Sequence, residues 1–461
     1  MEPIETTYPR LQDVQDAYRL SPEGQRTVEE AYDAFRATHA PLITSVVAQM
    51  LPHLRQDAAA GRSIVFLGRD GHSFAAATRA LAPDFYAASC HEAVLSRVVV
   101  EAAVQDLEAN RGDRFPDYEG FRATRRRVAA EDVPGSYRRL TAYLRDTGVP
   151  AGRPESAVTL VDSSFKGTVQ ELLTAIYPHT DFQGRYASFG AAPDDPHPHR
   201  KRGYLVHLAA AQTGEGKGFP FDDLHPNVGL TFASKDPINS LEDTLHGPLD
   251  TPLRIAEGPV QVLQRTDRSQ LQGFNPLLVP KKWRDPLARE AAKAAALLAV
   301  HDFAQEVAPG QQSQDWYDQR QREGEQATHE IRRWAARSID ADPGLKTVLD
   351  SITHRVDHPV ITRLQDYLAG RGIPERETHQ LWEKVENAPS RSHRADLIDE
   401  VIHTGVLPGR RGGRPSAEAA RKRSTTTTRR PPGPGPGPAD DGAAMPHRRG
   451  PDEAPGRGRG R

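Results

Sequence analysis

The chain has almost no cysteine. Cys90 is the single one, which excludes an intrachain disulfide and a cysteine-based zinc site. No apolar run approaches the ~20 residues that cross a bilayer, so no membrane-spanning helix is expected. Aromatic residues make up 7% and hydrophobic residues 37% of the 461, low values that still allow a globular core once a polar tail is set aside. Met1 to Arg10 is acidic and polar and lacks the charged-then-apolar pattern of a signal peptide. These absences predict a soluble, cytoplasmic protein of roughly two to three domains.

What is present is unevenly charged. From Pro408 onward there are 13 Lys/Arg against 5 Asp/Glu, a net +8, so the formal −2 of the chain leaves −10 on the first 407 residues. An acidic body and a basic tail are best read separately. The tail, residues 408–461, has Arg/Gly clusters, four consecutive Thr and alternating Pro and Gly, a composition that predicts disorder. Its cations could contact nucleic acid, although no aromatics are interleaved for base stacking.

Residues 1–59 read as a helical segment. Val28, Ala31, Tyr32 and Phe35 recur at helical spacing, and Ser21-Pro22 offers an N-cap and a first-turn proline. The pattern then changes. Ser63 to Leu67 is a short apolar run, Gly68-Arg69-Asp70-Gly71-His72-Ser73 is a turn, and Phe74 to Leu81 is helix-like. Ala157 to Asp162, Ser163 to Thr168 and Val169 to Tyr177 repeat the sequence of strand, turn and helix. Two such units predict a parallel α/β sheet over residues 60–260. Further strands are expected at Phe85 to Ser89, Ala93 to Ser96, Tyr186 to Phe189 and Tyr204 to Leu208. Residues 103–150 read as a helical insertion, 193–203 as a loop and 261–282 as a linker. Residues 283–407 read as a helical domain, with helices at Asp285–Val307, Ser313–Ala336, Pro359–Gly370 and Glu375–Val385 and with Trp316, Trp334 and Trp382 as anchors. That domain could bind a partner protein.

The two polar turns carry the chemistry. A helix N-terminus presents unpaired N–H groups and partial positive charge. Ahead of the second helix, Ser163, Ser164, Lys166, Gly167 and Thr168 supply hydroxyls, an ammonium and a close backbone approach for a phosphate. Asp162, at the strand end, could hold ribose hydroxyls or, through water, Mg²⁺. In the first turn, Arg69 suits bidentate phosphate contact, with Asp70, Gly71 and Ser73 beside it. In one parallel sheet both turns fall on the carboxyl edge and share a crevice. Arg97 follows a third strand and either reaches that crevice or simply starts a helix. Lys166 precedes the lone Gly167, so this is not a P-loop. The remaining candidates read as structural: His197, His199 and His207 as loop or strand residues, and Cys90 as a buried thiol.

Val161 to Thr168, with its strand and helix, resembles the phosphoribosyl-diphosphate loop of type I phosphoribosyltransferases, and Gly68 to Gly71 is similar to that family's diphosphate loop. The resemblance implies Asp162 as the first of two strand-end acids, Lys166, Gly167 and Thr168 around a 5-phosphate, and Arg69 to Gly71 at the diphosphate. Asp162 and Arg69 would then be the catalytic positions, with Mg²⁺ as cofactor. Ser163 stands where the family has its second acid, and the loop is shorter than usual. The order Arg69-Asp70-Gly71, Ser96-Arg97 and Asp162 through Gln170 is also similar to a poorly characterised bacterial domain often joined to haloacid-dehalogenase-like hydrolases, and Leu241 to Pro248 matches a later stretch of it. Dehalogenase-type chemistry is disfavoured, because no Asp-x-Asp follows the first strand. The expectation is a phosphoribosyltransferase-like protein that binds a phosphorylated ribose or nucleotide. The alternatives are a non-catalytic adaptor acting through its helical region and a protein that associates with nucleic acid through its tail.

Overall fold

Ser63–Gly68 (β1) and Ala157–Asp162 (β3) are apolar runs without alternation, and in the computed structural model both are strands buried on both faces. The structure describes residues 3–68, 70–208, 230–232, 234–247, 252–256, 262–265, 279–311, 313–336, 338, 340–353, 363–364, 367–368, 371, 373, 375–386, 388 and 391–405. Two units divide the chain, Met1–Pro408 and Gly409–Arg461. The second, and with it nearly all of the basic tail, lies outside the described residues, as do the 266–278 stretch of the expected linker and most of the expected helix at Pro359–Gly370.

The main sheet has five parallel strands in the order β2-β1-β3-β4-β5, with β2 at Cys90–Val94, β4 at Asp181–Gly190 and β5 at Lys201–Leu208. An α/β class with a parallel sheet is therefore as expected. A separate antiparallel pair joins β6 (Pro252–Ala256) to β7 (Val262–Arg265).

Each face of a doubly covered strand feeds a different core. Ile64 and Phe66 face one cluster, with helix α5 (Gly71–Leu81) and four long helices from the two ends of the described chain. After the short helices α1 (Ile4–Thr7) and α2 (Leu11–Ala17), those four are α3 (Pro22–Ala37), α4 (His39–Ala59) and, beyond α10 (Lys235–Glu242), α11 (Pro286–Val307) and α12 (Gln314–Ala335). Val65 and Leu67 face the other cluster, with α7 (Arg97–Arg111), α8 (Ser136–Asp146) and α9 (Thr168–Ile176). The chain steps from β1 to β2 through α5 and from β3 to β4 through α9, in opposite directions. A single hand of crossover then places those helices on opposite faces, as observed.

Local signals explain most helix starts. Ser21 Oγ accepts from Gly24 N at 3.1 Å with Pro22 next to it, and Ser313 Oγ accepts from Trp316 N at 3.2 Å. Trp316 and Trp334 are buried in the α4 layer, while the side chain of Trp382 lies outside the described residues. α11 is buried almost all round, from Ala288 to Val300, between α3, α4 and α5. Leu364, Leu368, Leu381, Val385, Ile398 and Val401 form a small cluster of their own.

Three expectations change. Phe85 to Ser89 is not a strand but the end of helix α6 (Pro83–Ser89): Pro83 and Asp84 stand at its first positions, a helix-start signal that outweighs a short aromatic run. The strand expected at Ala93 to Ser96 lies earlier, at Cys90–Val94, because Ser96 caps α7 by accepting from Val99 N at 3.2 Å. The 193–203 loop ends at Arg200, where a short turn gives way to β5. The 103–150 region is partly helical, with three 3₁₀ turns between α7 and α8. Arg122, ion-paired with Glu101 at 2.6 Å, anchors it to α7.

Candidate functional site

β1 and β3 are neighbours at the centre of the sheet, and the chain leaves them in opposite directions. This is the topological switch point, where the loops after the two strands diverge at the carboxyl edge, the place where open α/β sheets take their ligands. The two turns singled out in the sequence both lie here. They meet directly: Ser163 Oγ donates to Asp70 Oδ2 at 2.9 Å, across 93 residues of chain.

On the β1 side, Asp70 occupies the N-cap position of α5 but makes no side-chain cap, its carboxylate being turned to Ser163 instead. Gly71 starts the helix against β3, and a Cβ there would stand 3.0 Å from the carbonyl oxygen of Val161. Ser73 is buried, with its hydroxyl donating to the Asp70 carbonyl at 3.0 Å. It closes the turn from inside and does not face a ligand. Arg69 lies outside the described residues.

On the β3 side, Asp162 Oδ1 accepts from Ser163 N at 2.8 Å. The chain then stays extended beside β4, with Ser188 N donating to Ser163 O at 3.1 Å and Gly190 N to Phe165 O at 2.9 Å. Ser164 Oγ accepts from Gly167 N at 3.1 Å. Gly167 turns the chain back into α9 with φ +68°, and a Cβ there would stand 2.8 Å from Lys201 Cε. Lys166 is exposed and has no partner among the described residues, and Thr168 opens α9, half-buried. The structure therefore brings Asp70, Gly71, Asp162 and Ser163 together, with Lys166 to Thr168 along the same turn. The Ser163 hydroxyl is not free for phosphate, because its proton goes to Asp70.

Arg97 is on the same edge. Leu95 N donates to Gly68 O at 3.2 Å beyond the end of β2, and Arg97 is exposed at the first position of α7. Among the described residues, no side-chain contact ties it to the two turns. Three helices, α5, α7 and α9, thus begin at one sheet edge, each with its unpaired N–H groups and partial positive charge.

Sequence reading missed two groups. Lys201 is fully buried beneath Gly167 and ion-paired with Glu171 and Asp195, each at 2.6 Å, with the Phe121 ring centroid 5.1 Å from its Nζ. Its charge is already balanced by those two carboxylates. His197 joins them through Nδ1, 2.8 Å from Glu171 Oε2. The other missed group is His72, 2% exposed, whose Nδ1 lies 2.6 Å from Glu92 Oε2. Burial raises the Glu92 carboxyl, but its hydrogen bond to His72 and the charges of His72 and Arg79 outweigh that and hold it down at about 2. The signal for this pair was an acid inside a short strand of a parallel sheet. Cys90 is half-buried at the start of β2, and burial pushes its thiol up to about 12, which leaves it protonated and unreactive.

Among the described residues no group of three or more His, Cys, Asp or Glu could hold a metal ion, and no helix is long and apolar enough to cross a membrane. No family model, curated protein or solved structure matches this chain.

Proposed function

We propose that the switch-point crevice binds a phosphorylated ribose or nucleotide, as the resemblance to type I phosphoribosyltransferases implies. The observation that carries this reading is the Ser163–Asp70 hydrogen bond at 2.9 Å, which clamps two polar turns into one site at the sheet's carboxyl edge. The phosphate sits at the start of α9, where helix geometry leaves the first N–H groups unpaired and Lys166 stands exposed. With −10 on the first 407 residues, no long-range attraction helps an anion, so these local groups supply the binding. Asp162 and Asp70 accept from sugar hydroxyls. Their two negative charges would repel the phosphate, and a Mg²⁺ held by Asp162 and by ligand oxygens would offset that repulsion. Such an ion keeps most of its shell from water and substrate, which fits a site with few protein carboxylates.

If the ligand is phosphoribosyl diphosphate, transfer or cleavage of the phosphoribosyl group would depend on stabilising the departing diphosphate, a role that falls to the Arg69–Gly71 turn. A thermal-shift series with phosphoribosyl diphosphate plus Mg²⁺, nucleotides and sugar phosphates tests the reading. A bound ligand at a hundredfold excess over its Kd stabilises by about 2.7 kcal/mol and should raise Tm by several degrees, and Asp162→Ala should abolish the shift. The absence of any shift in the wild-type chain would overturn the reading. Consumption of phosphoribosyl diphosphate, followed by phosphorus NMR, separates an enzyme from a binding protein.

A further inference from the structure

His72 belongs to the same edge, and the reading above gives it no task. Its ring stands in the first turn of α5, against the end of β1. Glu92 pairs with Phe66 across the β1–β2 ladder, and Gly68 lies two residues further along β1. The ring bonds Glu92 through Nδ1 and touches Gly68 with Nε2: a Cβ built at Gly68 would collide with that nitrogen. The imidazole therefore points along the strands, Nδ1 inward and Nε2 toward the carboxyl edge. Nε2 is buried and has no hydrogen-bond partner among the described residues. A buried polar atom left unpaired disfavours the fold, so its presence calls for a reason.

The surroundings fix the chemistry of Nε2. Glu92 Oε1 is already taken by Arg79 at 2.5 Å and by the Tyr86 hydroxyl at 2.8 Å, and Arg79 also binds Glu5 at 2.5 Å. An ionised Glu92 accepts through Oε2, so Nδ1 must carry a hydrogen. Nε2 is thus the ring nitrogen left over, and a hydroxyl, which both donates and accepts, can pair with it. Neighbouring strands lie ~4.8 Å apart. A ligand with its phosphate on the β3 turn places its sugar over the end of the adjacent strand β1, beside Gly68.

We propose that His72 Nε2 forms a hydrogen bond with a sugar hydroxyl of a ligand whose phosphate occupies the start of α9. This rests on the reading of the crevice as a sugar-phosphate site and adds that the pentose, not only the phosphate, is recognised. Glu92 is a positioning residue: it fixes the aim of the ring. The contact forms out of reach of bulk water, where a hydrogen bond is electrostatically stronger.

The test is calorimetric titration of the full chain with ribose 5-phosphate and with inorganic phosphate. His72→Asn retains an amide N–H near Nδ1 to bond Glu92 and has no atom at Nε2. His72→Gln places a polar atom near Nε2. The expected result is about tenfold weaker ribose 5-phosphate binding for His72→Asn, unchanged phosphate binding, and partial recovery in His72→Gln. Equal affinity of His72→Asn and wild type for ribose 5-phosphate would overturn the role of His72 and leave the crevice reading standing. Absence of ribose 5-phosphate binding by the wild type would remove both. If His72→Asn fails to fold, nitrogen NMR of the wild-type histidines decides instead: ribose 5-phosphate should move the Nε2 resonance of His72. An unmoved resonance in the bound protein overturns the proposal.

Discussion

Ser163 is a bracket more than a ligand. Its hydroxyl ties the β3 turn to Asp70 while its N–H is held by Asp162. Ser163→Ala should destabilise the chain by about 1.5–3 kcal/mol, the range for a hydrogen bond to a charged group, and urea unfolding would measure it. The same variant should lose much of any ligand-induced Tm shift, because the two turns would no longer be fixed to each other. Glu92 sets an acid limit. Its folded-state carboxyl lies at about 2, below the ordinary 4.5. The stabilisation is therefore complete above the ordinary value and is lost as pH falls from there through about 2, up to about 3 kcal/mol in all. Buried His39, pushed down to about 4 by desolvation, acts over the higher window. The unfolded chain takes up its proton first, so stability falls as pH drops from about 6.5 toward 4. Unfolding free energies at pH 7, 5 and 3 should decrease in that order, and Glu92→Gln should flatten the last step relative to wild type. The polar turns were legible because their residues are contiguous in sequence. The His72–Glu92 pair was not, since its members lie 20 residues apart on a helix and a strand and only the register of β1 against β2 brings them together.

At the scale of elements, the turn from β3 into α9 depends on a residue that accepts positive φ. Gly167→Ala would place an L-residue at φ +68° with Cβ 2.8 Å from Lys201 Cε. The left-handed conformation alone costs about 1–2 kcal/mol, and displacement of Lys201 from Glu171 and Asp195 adds to it. A fall in Tm of several degrees should be seen by calorimetry, and a Tm equal to wild type would show that the turn relaxes freely. β1 and β3 were readable because an apolar run of four to eight residues followed by a polar turn has few other fates in a parallel sheet. The segment before β2 was not, because Phe85 to Ser89 is as short and apolar as a strand and only Pro83 marks it as helix. The ion pairs of Lys201 were hidden for a similar reason. They depend on how the ten residues from Ala191 to Arg200 carry the chain back alongside β4.

At the scale of the whole molecule, the sheet is only half of its own core. Residues before β1 and after Pro286 cover one face, and Ala31, Phe35, Val46, Ala296 and Trp334 share a cluster with Ile64 and Phe66. A fragment limited to residues 60–260 would expose that face, and each large side chain returned to water costs about 1.5–3 kcal/mol. Such a fragment should show no cooperative melting transition and should bind a hydrophobic dye, whereas the 1–408 unit should melt in a single step. A cooperative transition in the fragment would show that the sheet and α7 to α9 suffice.

The burial of α11 also bears on how the chain is made. Its neighbours α3 and α5 leave the ribosome more than 200 residues before it does, and synthesis proceeds at about 5–20 residues per second. For ten seconds or longer their apolar faces have no lasting cover. A chain with its keystone helix so late completes this core only once α11 has emerged, and until then the exposed apolar faces of α3 and α5 favour aggregation.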